Sequence, residues 1–235
     1  MFSADTVIQK LTIEIIDFFK RNGFTKAVIG LSGGVDSSVT CALAVKALGK
    51  ENVTGIIMPE LGISSKESVN DAQLLAKQLG VIVLYQPIND ILTNYQLPFS
   101  LNKIAQMNLK ARVRANILYA YANTHDALVL GTGNKTEILM GYATKYGDAA
   151  CDVLPIGSLY KIQVWEIARF LKLPQQIIRK KPSAELYPGQ FDEDELGYSY
   201  QELDHFLIEG PVPLEIANRI DRNKHKGQSV PVLKY

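Results

Sequence analysis

The residues best placed to do chemistry lie near the N-terminus. The stretch Gly30-Leu31-Ser32-Gly33-Gly34-Val35-Asp36-Ser37-Ser38 joins a short apolar run to a segment of helical pattern. Glycines let a backbone turn several N–H groups toward one point, and a helix N-terminus adds about half a positive charge. Such a loop cradles a phosphate, with Ser32, Ser37 and Ser38 as further donors. An ordinary strand-to-helix turn capped by Ser32 or Asp36 accounts for the same residues, so the loop alone leaves both readings open. A carboxylate beside a triphosphate is repulsive unless a cation lies between them, so in the phosphate reading Asp36 implies Mg²⁺. A second carboxylate should come from another loop on the same sheet edge, and Glu137 is the candidate. Asn134 and Glu137 also have capping-box spacing, which is an everyday reason for a glutamate there. Two other phosphate motifs are excluded. The Gly49-Lys50 pair has Ala44 and Glu51 where a Walker loop needs Gly and Ser/Thr, and Ser32 breaks the dinucleotide glycine fingerprint.

These loops need a sheet to hold them. Four runs rich in Val, Ile and Leu, at 26–30, 53–58, 81–85 and 127–130, lack clean alternation and read as strands buried on both faces of a parallel sheet. Helical patterns at 35–48, 66–79 and 102–123 separate them, with Ile104, Met107, Ala111, Ala115, Leu118 and Ala122 marking one face of the last. Gly49 and Gly80 fall where helix C-caps belong. The expectation is an α/β fold, a doubly wound, mostly parallel sheet with helices on both faces. Ligands of such sheets sit at the carboxyl ends of the strands, here after Ile29, Met58, Tyr85 and Leu130. An amphipathic helix carrying Val7, Ile8, Leu11, Ile15, Phe18 and Phe19 precedes the first strand. Beyond the fourth, a glycine- and charge-rich stretch (131–157) leads to a helix with Ile162, Trp165, Ala168 and Leu171 on one face. The segment 180–200, with acids at 192–195, reads as a surface loop, and two helices (199–208 and 213–226) close the chain. No repeat or linker divides residues 1–235, which read as one domain.

Composition narrows the partners. The 235 residues are 47% hydrophobic and 21% charged, so a packed core is affordable and disorder is excluded. Lys and Arg number 25 against 24 Asp and Glu, a net charge of +1 that singles out neither nucleic acid nor a membrane surface as the main partner. Two cysteines suit a reducing compartment, and no apolar stretch reaches the roughly 20 residues of a membrane span. A soluble cytoplasmic protein is expected.

The loop resembles the SGGxDS pyrophosphatase loop of the N-type ATP pyrophosphatases, which attack ATP at its α-phosphorus and form AMP and pyrophosphate; their fold is adenine nucleotide α-hydrolase-like. Gly131-Thr132-Gly133-Asn134-Lys135-Thr136-Glu137, Gly141-Tyr142-Ala143-Thr144-Lys145-Tyr146-Gly147-Asp148 and Pro155-Ile156-Gly157 narrow the likeness. With Tyr160-Lys161, Lys181-Pro182-Ser183-Ala184-Glu185-Leu186, Asp194-Glu195-Leu196-Gly197-Tyr198 and His225-Lys226, the chain resembles the ammonia-dependent NAD synthetases from about Gly30 to Lys226. The resemblance implies ligation of ammonia to deamido-NAD⁺ through an adenylate. It places ATP on Gly30, Leu31, Ser32, Gly33, Gly34, Val35, Asp36, Ser37, Thr132, Lys161 and Ser183. It places Mg²⁺ on Asp36 and Glu137, and deamido-NAD⁺ on Arg112, Lys145, Asp152, His225 and Lys226. It further implies a homodimer. The chemistry adds two roles: Lys161 neutralises charge at the phosphate, and Asp148 binds ammonium and accepts its proton. About 25 residues precede the first strand, too few for the glutaminase domain that some NAD synthetases carry, so ammonia is the expected nitrogen source. Rival readings are the ATP-pyrophosphatase unit of GMP synthetase, a tRNA-thiolating enzyme and a regulator that senses ATP. The segments 144–148 and 196–198 argue against the first. The missing basic excess and paired cysteines argue against the second, and the Asp36/Glu137 pair against the third.

Overall fold

All four apolar runs form parallel strands in the computed structural model, which describes residues 2–228 and 230–233. In chain order the elements are α1 (Ala4–Asn22), β1 (Lys26–Gly30), α2 (Val35–Leu48), β2 (Val53–Ile57), α3 (Lys66–Leu79), β3 (Ile82–Tyr85), α4 (Asn89–Thr93), α5 (Lys103–His125) and β4 (Ala127–Leu130). Then follow α6 (Lys135–Met140), α7 (Lys161–Phe170), α8 (Gln175–Arg179), α9 (Asp192–Leu196), α10 (Tyr200–Glu209) and α11 (Leu214–Asn223). The strand order is β3-β2-β1-β4, with Val28 of β1 in register with Thr54 and with Val129. The chain steps outward from β1 to β3 and returns to place β4 on the other side of β1. That reversal opens a crevice above the carboxyl ends of β1 and β4. Both the glycine loop and the loop after Leu130 empty into it. Residue Val153 bridges Leu130 and carries the sheet one step past β4.

Both faces of the sheet are covered, as expected of a doubly wound fold. Ile29, Val39, Leu43, Ile57, Leu75 and Ile167 belong to one core, under α1, α2, α3 and α7. Val28, Ile56, Val113, Ala122 and Val129 belong to the other, under α5. Gly80 closes α3 in the left-handed conformation, and the Gly49 N–H closes α2 on Val45 O.

Three expectations need correction. The run at 81–85 forms an edge strand, not one buried on both faces: Ile82 is 61% exposed, and Leu84 and Tyr85 also face solvent. An apolar run identifies a strand but carries no sign of how many neighbours it has. Ile104 is 69% exposed rather than part of the inner face of α5. That helix has 23 residues and so spans about 35 Å, and its first turn overhangs strands of four or five residues. The segment 180–200 is no simple surface loop. Its acids form α9, and Gln190 and Asp192 are buried. Among the described residues no helix is long and apolar enough to cross a membrane.

Candidate functional site

The glycine loop leaves β1 at Gly30 and turns at Gly33, whose φ is +78°. The N-cap of α2 is Gly34, which offers no side-chain cap, so the first N–H groups of α2 stay available to a ligand. Neither Ser32 nor Asp36 caps the helix. The cap that the ordinary-turn reading expects from Ser32 or Asp36 is thus missing. Ser32 Oγ accepts from Gly34 N at 3.2 Å and lies 3.1 Å from Ser37 Oγ, while Ser37 and Ser38 hydroxyls donate to Gly34 O. Ser38 is fully buried, so it clamps the loop instead of facing a ligand. Leu31 and Val35 anchor the loop in the core, and Leu31 fills the space a side chain at Gly55 would need.

Beside the cradle lies a compact charge centre. Lys161 opens α7 with a side chain only 1% exposed, and its ammonium pairs with Asp36 and lies 3.5 Å from Glu137 Oε1. The rings of Tyr200 and Trp165 form its floor, with centroids 4.7 and 5.9 Å from Nζ. Asn134 caps α6, exchanging hydrogen bonds with Glu137 in a full capping box, and its amide also donates to Asp36 Oδ1 at 2.9 Å. Glu137 therefore serves both readings made from the sequence: Oε2 closes the cap and Oε1 faces Lys161. Burial, and next the Asp36 charge, push Glu137 up to about 8 against the pull of Lys161. Burial would lower Lys161, but Asp36 and Glu137 outweigh it and hold the ammonium above its ordinary value. Burial likewise raises Asp192, whose carboxylate accepts from Tyr142 and Tyr200. Two carboxylates thus pair with the ammonium, and the charge of a third, Asp192, reaches it. The hard oxygen donors of Asp36 and Glu137 fit a divalent cation such as Mg²⁺. Among the described residues no three His, Cys, Asp or Glu side chains converge as a ligand set, so phosphate and water oxygens would complete its shell.

The raised Glu137 carboxyl has a consequence for stability. Between about 4.5 and 8 the folded state holds a proton that the unfolded state releases, so unfolding becomes easier as pH rises through that window. Glu137→Gln is expected to flatten the fall of Tm between pH 5 and 8 in the protein without nucleotide. Equal slopes in both proteins would disprove it.

A single large cavity of about 1500 Å³ joins the cradle to Thr132, Glu137, Asp148, Lys161, Ser183 and Lys226. Asp148 is open to this cavity yet walled by protein, and burial raises its carboxyl while the Thr144 N–H and Lys226 oppose. The Ser183 hydroxyl donates to Gln190 O at 2.6 Å and accepts from Glu185 N, so it shapes its own loop at the cavity wall. Lys226 donates to Gly141 O at 2.8 Å. Arg112 donates to Lys145 O, and Lys145 Nζ to His225 O, which links these three side by side beyond the cavity lining. Asp152 stands apart from them: its carboxylate accepts from Val129 N at 2.7 Å and from the Tyr119 hydroxyl. Sequence reasoning missed Lys180, which donates to Gly33 O and Ser68 Oγ and pairs with the buried Asp71. It also missed Tyr200 and Asp204, whose spacing on α10 gives no hint that both are fully buried.

Comparison with known proteins agrees with this geometry. The family profile described as NAD synthase matches residues 7–233. The NH(3)-dependent NAD(+) synthetase of Archaeoglobus fulgidus is 44% identical over 237 residues, covering 95% of this chain and 96% of its own. That of Methanocaldococcus jannaschii is 43% identical over 238 residues, 98% of this chain and 88% of its own. Among solved structures, NMN synthetase from Francisella tularensis superposes with a TM-score of 0.93 at 36% identity, covering 100% of each chain. The NH3-dependent NAD synthetase from Campylobacter jejuni, solved with a nitrate ion, gives 0.82 at 31% identity, again over 100% of each. With a profile spanning nearly the whole chain and full-length relatives above 40% identity, the chain belongs to the NAD synthase family.

Proposed function

We propose that the chain is an amide-forming ligase that converts deamido-NAD⁺ to NAD⁺ with ATP and ammonia, releasing AMP and pyrophosphate. The observation that carries this reading is the buried Lys161 ammonium set between Asp36 and Glu137 beside an uncapped helix N-terminus. A substrate carboxylate is already nucleophilic and needs no strong base to attack the α-phosphate. What it needs is alignment and charge neutralisation, which the loop N–H groups and Lys161 provide. Asp36 and Glu137 would hold Mg²⁺, which when bound offsets the charge of the triphosphate. Lys161 then stays as the fixed cation of the site. Ammonia attack on the adenylate requires an amine without its extra proton, and Asp148 is the acceptor. It faces the cavity, and its raised carboxyl suits that task.

On the family resemblance the dinucleotide is assigned to Arg112, Lys145, Asp152, His225 and Lys226, of which Lys226 lines the cavity, and ATP to residues 30–37 with Thr132, Lys161 and Ser183. Residues 1–235 are read as one synthetase domain fed by ammonia, in keeping with the names of the curated relatives. Apolar side chains exposed at Ile82, Leu84, Tyr85 and Phe99 support association into a homodimer. The free Cys41 and Cys151 suit a cytoplasmic location.

A second reading has one observation in its favour, the likeness to an NMN synthetase over the whole chain. Nicotinate mononucleotide presents the same reacting carboxylate and lacks the adenylyl half. One experiment covers both: AMP release measured with each substrate, with and without ammonium. AMP formation is expected to require deamido-NAD⁺, and kcat/KM to favour it over the mononucleotide. AMP formed without either nicotinate substrate overturns both readings. A higher kcat/KM with the mononucleotide transfers the assignment to the second.

A further inference from the structure

Helix α10 sends two fully buried polar side chains, one turn apart, into the junction of α6 and α7. Tyr200 lays its ring under the Lys161 ammonium, and its hydroxyl lies 3.1 Å from Asp192 Oδ2 and 3.5 Å from Glu137 Oε1. The ring also meets Trp165 edge-on, with centroids 6.1 Å apart. Asp204 holds the chain neighbours of Lys161 and Glu137. Its Oδ2 accepts from Ile162 N at 2.8 Å, and its Oδ1 from the Thr136 hydroxyl. The Thr136 oxygen in turn accepts from Lys161 N at 3.1 Å. Thr136 precedes Glu137 and Ile162 follows Lys161, so one carboxylate ties together the segments that carry the ammonium and its partner.

A buried carboxylate is costly to place, and an apolar side chain of similar size would fill the junction without that cost. Capping α7 explains the bond to Ile162 but not the bond to Thr136. Nor does it explain a tyrosine hydroxyl set between Asp192 and Glu137 from the same helix. We propose that Tyr200 and Asp204 are positioning residues. Together they fix the Lys161 ammonium and the Glu137 carboxylate at the spacing the adenylation step needs, without themselves touching substrate. This rests on the ligase reading given above, and it assigns to α10 a share in the rate that no side chain facing the cavity reveals.

The test uses the full chain and variants that spare the packing. Tyr200→Phe keeps the ring and loses the hydroxyl; Thr136→Val keeps the shape and breaks the link to Asp204; Thr136→Ser restores it. Asp204→Asn keeps the volume and removes the charge. AMP formation, KM for deamido-NAD⁺, calorimetric binding of a non-hydrolysable ATP analogue with Mg²⁺, and Tm are measured for each. Small displacements of catalytic groups cost up to about 100-fold in rate, so kcat is expected to fall between about 10- and 100-fold in Tyr200→Phe, Thr136→Val and Asp204→Asn. KM for deamido-NAD⁺ should stay close to that of the parent, the ATP analogue should bind more weakly, and Thr136→Ser should recover most of the kcat lost in Thr136→Val. Folded Tyr200→Phe and Thr136→Val proteins with parental kcat and analogue affinity, and only a lower Tm, would make the pair purely structural and overturn the inference. Should Asp204→Asn fail to fold, those two variants still decide it. Absence of AMP from the parent enzyme would fault the ligase reading instead.

Discussion

Lys161→Met is expected to slow AMP formation by about 10³-fold, in line with the removal of a preorganised charge from a reacting phosphoryl group. The methionine fills the aromatic floor of Tyr200 and Trp165 almost as well as the lysine stem, so the loss is that of the charge. Asp36 and Glu137 would then face one another with no cation between them. Losing one partner of a largely buried pair destabilises by about 3 kcal/mol. The carboxyl that relieves this strain is Glu137, already pushed up to about 8, which rises further once the ammonium is gone. A carboxyl raised in the folded state favours folding at low pH, and that advantage is lost as pH rises through its folded value. The Tm deficit of the variant should therefore be greater at pH 8.5 than at pH 6. Lys161→Arg is no remedy, because a planar guanidinium does not fit a box sized for a single ammonium. Melting curves at both pH values and single-turnover AMP formation check the two halves of the claim. A variant within tenfold of the parent rate would remove Lys161 from the chemistry.

The strands and the cradle were legible in the sequence because both are written in consecutive residues. Strands packed on both faces need unbroken apolar runs, and 26–30, 53–58 and 127–130 show them. A phosphate loop needs glycine and hydroxyls in adjacent positions, and 30–38 shows those. The meeting of Asp36 and Glu137 was also readable, since each lies in the first turn of the helix that follows a strand at the same sheet edge. What escaped was whatever depends on the far side of a contact. The run at 81–85 resembles its neighbours, yet β3 pairs only with β2 and stays exposed. Four consecutive acids at 192–195 read as solvated, while the fold buries Asp192 and engages Glu195 with Tyr142, Tyr187 and Gln190. Lys180 and Arg112 find backbone carbonyls, which have no side-chain pattern to announce them. Tyr200 and Asp204 look like one polar stripe of a surface helix, and only the packing of α10 on α6 and α7 turns that stripe inward.

Gly33→Ala should be almost as damaging as the loss of Lys161, and by way of the backbone alone. At φ +78° an alanine gives up about 1–2 kcal/mol against glycine. Its Cβ would lie 2.1 Å from Ser68 O, a main-chain atom in the first turn of α3. That turn has little room to retreat. Glu185 accepts from Ser65 N, Ser65 Oγ and Ser68 Oγ, and Lys180 bridges Gly33 O to Ser68 Oγ and Asp71. The loop must move instead, and with it the N–H groups of the cradle. Strain and crowding together are expected to destabilise by about 3 kcal/mol. The displaced donors should lower kcat/KM for ATP by about 100-fold. Gly34→Ala offers the contrast: φ there is −90°, and the nearest atom to its Cβ is the Ser32 hydroxyl at 3.3 Å, which rotates aside more cheaply than a backbone does. Its loss should be clearly smaller in both Tm and kcat/KM. Equal losses in the two variants would mean that crowding at the loop in general, rather than the Gly33–Ser68 approach, limits the cradle.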